Sequence, residues 1–74
     1  MAKYKLRITS LDGISTEIDS VEEFVSGYRY LYVRTRNTTM SFERDYIESV
    51  ARWGWDSKNN TTSWIPVLLR KPRI

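Results

Sequence analysis

The sequence predicts a mainly β fold: a small antiparallel barrel or strongly curved sheet of the SH3-like or OB-like kind, with five or six short strands and one short helix. Three observations carry that prediction. Apolar and polar residues alternate through long stretches such as "KYKLRITS" (3–10) and "YRYLYVRTR" (28–36), and a strand sends successive side chains to opposite faces. Turn-forming groups, among them Asp12-Gly13 and "RNTT" (36–39), punctuate those stretches. With 74 residues and neither cysteine nor histidine, the chain has one core's worth of apolar residues and no disulfide or zinc site to support it.

The elements follow in order. In residues 3–10, Tyr4, Leu6 and Ile8 share one face and Lys3, Lys5 and Arg7 the other, the pattern of a half-buried strand. Asp12-Gly13 is a hairpin turn signal, because glycine adopts positive φ at no steric cost. "ISTEI" (14–18) returns with Ile14, Thr16 and Ile18 inward and Ser15 and Glu17 outward. That hairpin sets Lys5 and Arg7 against Glu17 or Asp19, in cross-strand pairs worth about 0.2–1 kcal/mol each.

"DSVEEFVSG" (19–27) predicts the short helix. Asp19 or Ser20 can cap it, Glu22 and Glu23 suit its first turn, Val21, Phe24 and Val25 fall at helical spacing, and Gly27 can end it. So short a helix is marginal in water and needs Phe24 docked on the sheet.

"YRYLYVRTR" is a third strand, with Leu31 and Val33 on the core side and Tyr28, Tyr30, Tyr32 and Arg34 opposite. "MSFER" (40–44) pairs back onto it with Met40 and Phe42 inward. "DYIESVARWGW" (45–55) supports two readings. As a helix it offers a capping box at Asp45 and Glu48 and a face of Ile47, Val50 and Ala51. As a strand, the preferred reading, Ile47, Ser49, Ala51, Trp53 and Trp55 share a side. "DSKNNTTS" (56–63) then forms a hairpin loop, and "WIPVLLR" (64–70) a last strand with Ile65, Val67 and Leu69 inward. Pro66 has no N–H to donate, which puts that strand at an edge.

The expected core is Leu6, Ile8, Ile14, Ile18, Phe24, Leu31, Val33, Met40, Phe42, Ile47, Val67 and Leu69. The expected organisation is one domain over residues 1–74, in which 71–74 form a flexible basic tail. The first ten residues alternate and so do not read as a secretory signal, and no apolar run reaches the roughly 18–20 residues of a membrane span. A cytoplasmic protein without a membrane partner is the expectation, and the Asn-Xaa-Thr sequons at Asn37, Asn59 and Asn60 then carry no glycan.

The missing residues bound the chemistry. Without histidine or cysteine there is no Ser–His or Cys–His pair, and the three glycines form no phosphate-binding loop. Carboxylates such as Glu43 with Asp45 or Glu48 offer an acid–base pair only if a pocket perturbs them, and a core this small spares little volume. The chain is therefore expected to be non-catalytic, with no cofactor and no metal.

Three surfaces are candidates for binding. Tyr30 and Tyr32, interleaved with Arg34 and Arg36 and extended by Lys5 and Arg7, have the chemistry of a single-strand nucleic-acid platform, in which rings stack on bases at about 1–3 kcal/mol each. Cross-strand packing is the structural rival. Trp53, Trp55 and Trp64 flank one loop and suit a larger protein partner, or close the end of the core. Lys3, Lys5 and Arg7 join Arg70, Lys71 and Arg73 in one basic patch if the first and last strands are neighbours, as barrel closure requires. A third function class is a structural subunit that self-associates by strand addition at the Pro66 edge. No motif specifies a family. In size and composition the chain resembles the short reading frames of bacterial viruses and mobile elements, which would imply a small binding or inhibitory module.

Overall fold

The computed structural model describes residues 3–69 as one six-stranded antiparallel sheet. The strands are β1 (Tyr4–Ser10), β2 (Ser15–Ser26), β3 (Tyr30–Thr35), β4 (Thr39–Glu43), β5 (Ile47–Asp56) and β6 (Thr61–Leu69). A single 3-10 turn over Arg44–Tyr46 is the only helical element among the described residues. The spatial order is β4-β3-β2-β1-β5-β6, so the sheet is a meander with β5 and β6 added beyond β1.

No ladder joins β4 to β6, and the sheet is not closed into a barrel. It nevertheless wraps one core. Leu6, Ile8, Ile18, Val21, Leu31, Val33, Ile47 and Val50 are buried together, and Tyr4, Phe24, Met40, Phe42 and Leu68 pack against them. Those side chains come from all six strands, which would stretch about 24 Å across a flat sheet at the usual strand spacing of ~4.8 Å. Only a sheet curled over its own inner face brings them into one cluster.

Bulges provide the curl. In the β1–β2 ladder Leu6 opposes Ile18 and Tyr4 opposes Val21, so β2 carries one extra residue. Ser20 lies in that bulge with φ 57°, the left-handed region. A second extra residue, Glu22, follows where β2 passes from β1 to β3. In β5, Glu48 is extra against β1, and in β6, Val67 is extra against β5.

Each bulge adds one to the two-residue spacing of a strand face. Ile18, Val21 and Phe24 all turn inward at intervals of three, as do Ile47 and Val50. This overturns the helix expected over 19–27. The three-residue spacing that resembles a helical face belongs to a twice-bulged strand, which gains hydrogen-bonded ladders on both sides that an isolated two-turn helix lacks. The same arithmetic resolves 45–55 as strand apart from the turn at its start.

Three members of the expected core are corrected. Val67 and Leu69 are exposed because the bulge at Val67 turns Leu68 inward instead. Ile14 is 64% exposed because it belongs to the turn before β2 begins. Val21 and Val50, both fully buried, are the core residues that strict alternation omits.

The turns explain themselves locally. Gly13 takes φ 88°, and the Asp12 carboxylate accepts hydrogen bonds from Ser10 Oγ and the Ile14 N–H. Those bonds, the Ser10 hydroxyl first, hold the Asp12 carboxyl below its ordinary pKa. Gly27 ends no helix. It opens the β2–β3 turn, donating to Tyr30 O at 2.9 Å, and a Cβ there would lie only 2.9 Å from that same oxygen.

Candidate interaction surface

Register assigns the side chains to the two sides of the sheet, since directly opposed residues point the same way. Arg7 opposes Glu17 on one side and Ala51 on the other, Ala51 opposes Pro66, and Trp53 opposes Trp64. Beyond β2, Glu23 opposes Arg34, Val25 opposes Tyr32, and Tyr32 opposes Ser41. These residues form the outer surface, and the core lies beneath.

At the β3 end of that surface, Tyr30 and Tyr32 are part-exposed with ring centroids 6.3 Å apart, and Val25 sits beside them. Tyr28 is 96% exposed, in the turn rather than in the strand stripe. The tyrosines are thus outward-facing, as strand alternation implies.

The cations expected to accompany them are already engaged. Arg34 donates to Glu22 at 3.0 Å and lies 3.5 Å from Glu23. Arg7 donates to Glu17 at 2.9 Å, and Lys5 sits 3.5 Å from Asp19. Lys3 is 3.9 Å from Glu22. The cross-strand pairing of Lys5 and Arg7 with acidic residues of β2 is as the hairpin register requires. Arg36 is exposed in the β3–β4 turn, off the strand. Each exposed pair is worth only about 0–1 kcal/mol. Together they fill the middle of the outer surface with balanced charge, where a phosphate backbone would have to displace carboxylates.

The patch that would join β1 to the C-terminal arginines is not formed by strand adjacency. β1 neighbours β2 and β5, and β5 separates it from β6. Arg70, Lys71, Arg73 and the tail 71–74 lie outside the described residues.

At the other end, Trp53 and Trp64 meet edge to face with centroids 5.3 Å apart. The Arg7 guanidinium lies 4.2 Å over the Trp64 ring, so Arg7 serves a carboxylate and an indole together. Trp53 is 44% and Trp55 60% exposed, while Trp64 is partly covered. None of the three indoles belongs to the buried cluster, so they do not close the core. Pro66, Val67 and Leu69 continue this apolar surface along β6, an edge strand with no charged residue, as Pro66 implies. Trp53 and Tyr32 stand on strands three spacings apart, roughly 14 Å along the sheet, and the ion pairs lie between them.

Two of the open clefts among the described residues border these surfaces. One, of about 700 Å³, is lined by Tyr28, Arg29, Tyr30, Glu43, Arg44 and Asp45. Arg44 spans it to Ser26 Oγ at 2.9 Å and Gly27 O at 3.0 Å, and its two arginines face two carboxylates. The other, of about 580 Å³, lies over the β2 bulge between Lys3, Lys5, Asp19, Ser20, Arg52 and Trp53, with Tyr4 beneath Arg52 at 4.4 Å. The bulge and the burden it places at Ser20 have no sequence signal, since neither glycine nor asparagine marks the position.

Among the described residues there is no group of three or more histidine, cysteine, aspartate or glutamate side chains placed to hold a metal, and no helix long and apolar enough to cross a membrane. Compared with family models, curated proteins and solved structures, the chain matches none.

Proposed function

We propose that this protein is a non-catalytic binding module whose principal partner is another protein, held by the tryptophan-bearing flank of β5 and β6. One observation carries the reading: Trp53, Trp55 and Trp64 gather with Pro66, Val67 and Leu69 on the outer surface, outside the core, at an uncharged edge of the sheet. Tryptophan presents a large rigid contact area and dominates interface energetics when a partner covers it. Contiguous exposed apolar surface on so small a protein marks an interaction site.

Nucleic-acid binding by Tyr30, Tyr32, Arg34, Arg36, Lys5 and Arg7 is the second reading, favoured by the side-by-side exposure of the tyrosines. Against it stand the carboxylates already paired with Arg34 and Arg7. Self-association along β6 is a third reading, since that edge lacks the charges that usually protect one, and only Pro66 and a bulge interrupt it.

Affinity capture from lysate, with and without nuclease, separates these readings when run beside Trp55→Ala and Tyr32→Ala. A protein retained after nuclease, kept by Tyr32→Ala and lost by Trp55→Ala, is the expected result. Capture abolished by nuclease or by Tyr32→Ala favours the second reading. Recovery of the chain's own copies alone favours the third.

A further inference from the structure

The cleft over the β2 bulge shares Trp53 with the apolar flank, and to the paired Lys3 and Lys5 it adds one cation, Arg52, that the balanced pairs of the outer surface do not include. Lys3, Lys5 and Arg52 line it, against the single carboxylate of Asp19. Lys5 is 3.5 Å from Asp19, whose side chain is largely in solvent. Among the described residues the carboxylate near Lys3 is that of Glu22, at 3.9 Å, and Glu22 lies nearer Arg34, at 3.0 Å. Arg52 has no carboxylate within ion-pair distance among the described residues, and its guanidinium lies on the Tyr4 ring. Placed there, the guanidinium keeps N–H donors that no carboxylate among the described residues takes up.

We propose that this cleft receives a carboxylate side chain of the protein partner, and that the recognised segment carries Asp or Glu next to the large apolar residues that cover Trp53, Trp55 and Trp64. The inference rests on the protein-binding reading and names the chemistry of the partner. Two observations select an acidic side chain over a nucleotide. Of the two aromatic residues that line the cleft, Tyr4 lies under the Arg52 guanidinium, which leaves Trp53 alone, so no pair of uncovered rings lines it to sandwich a base. The cleft is also flanked by apolar surface on the β5–β6 side, where a nucleic-acid strand would need further phosphate contacts.

The test is selection of a display library of random peptides on the full chain, together with a fluorescence titration by oligothymidylate at low salt. The wild-type chain is expected to enrich peptides with Asp or Glu beside Leu, Phe or Trp. A peptide so selected should bind about tenfold more weakly when its acid is changed to the amide, as loss of one charge-assisted contact implies. The variants Arg52→Gln and Lys5→Gln should lose the acidic preference and keep the apolar one. Lys5→Gln leaves the Arg52–Tyr4 stack in place and guards against misreading a folding defect. Enrichment of apolar peptides without acids overturns the proposal and leaves the protein-binding reading standing. No enrichment at all, or oligothymidylate binding at lower concentration than any peptide, overturns both.

Discussion

Replacing Ser20 by valine gives opposite signs on two accounts of β2. If β2 were a plain strand, an exposed Ser→Val change would follow β preference and stabilise by up to about 1 kcal/mol. In the bulge Ser20 has φ 57°, where an L-residue already carries about 1–2 kcal/mol of steric cost. Valine adds a second γ carbon to a position that β-branched residues essentially never adopt, so the change should destabilise by about 1–2 kcal/mol. For a domain of this size that lowers Tm by about 4–8 °C per kcal/mol. Ser20→Gly is the complement. It removes the steric cost and adds about 0.5–1 kcal/mol of chain entropy, for a net gain of roughly 0.5–1 kcal/mol. On a plain strand the glycine variant would be the weaker one. Thermal and urea unfolding followed by circular dichroism read both changes. A Tm raised by Ser20→Val and lowered by Ser20→Gly would refute the bulge as the origin of the curl.

Three further outcomes follow from the same geometry. Leu31→Ala should cost about 2–5 kcal/mol, because Leu31 is fully buried, whereas Tyr32→Ala beside it should cost clearly less; equal losses in urea unfolding would mean that the tyrosine stripe is core. Gly27→Ala should cost about 1–3 kcal/mol by driving a Cβ against Tyr30 O, and an unchanged midpoint would show that the turn has room to relax. The Asp12 carboxyl should titrate below the ordinary aspartate range, and Ser10→Ala should raise its pKa. A depressed folded pKa means that the turn gains stability above the unfolded pKa and loses it as pH falls through the folded one, so the hairpin should loosen in acid; carboxyl NMR shifts that follow an ordinary curve would contradict this.

Much of the sheet was legible because simple alternation governs β1, β3 and β4, which have no bulge of their own. Leu6, Ile8, Leu31 and Val33 are buried where period two places them, and Met40 and Phe42 face the same way. The Asp12-Gly13 turn and its ion pairs were readable from residue chemistry alone. Legibility failed at the four bulged positions, where one extra residue reverses every side chain beyond it. Val21 and Phe24 imitated a helix, and Val67 and Leu69 exchanged places with Leu68. In the candidate site, strand alternation sets Tyr30 and Tyr32 on the side opposite Leu31 and Val33. Whether the tyrosines pack across strands and whether the tryptophans close the core was not legible, because both depend on which strands become neighbours. The engagement of Arg34 by Glu22 and Glu23 was not legible either, because a helix over 19–27 places those carboxylates elsewhere. Arg52 and Ser20 went unnoticed because only the fold brings them to one cleft with Lys3 and Lys5.

The most direct test of a protein-binding flank on β5 and β6 is a residue-by-residue amide NMR map of the isotopically labelled chain, recorded as a partner retained after nuclease treatment is added. The account predicts that the largest shifts fall on Arg52, Trp53, Gly54 and Trp55 and across Thr62–Val67, extending to Lys3, Lys5 and Ser20 at the cleft. Shifts concentrated on Tyr28–Arg36 and Thr39–Glu43, with the tryptophan flank unmoved, would contradict it.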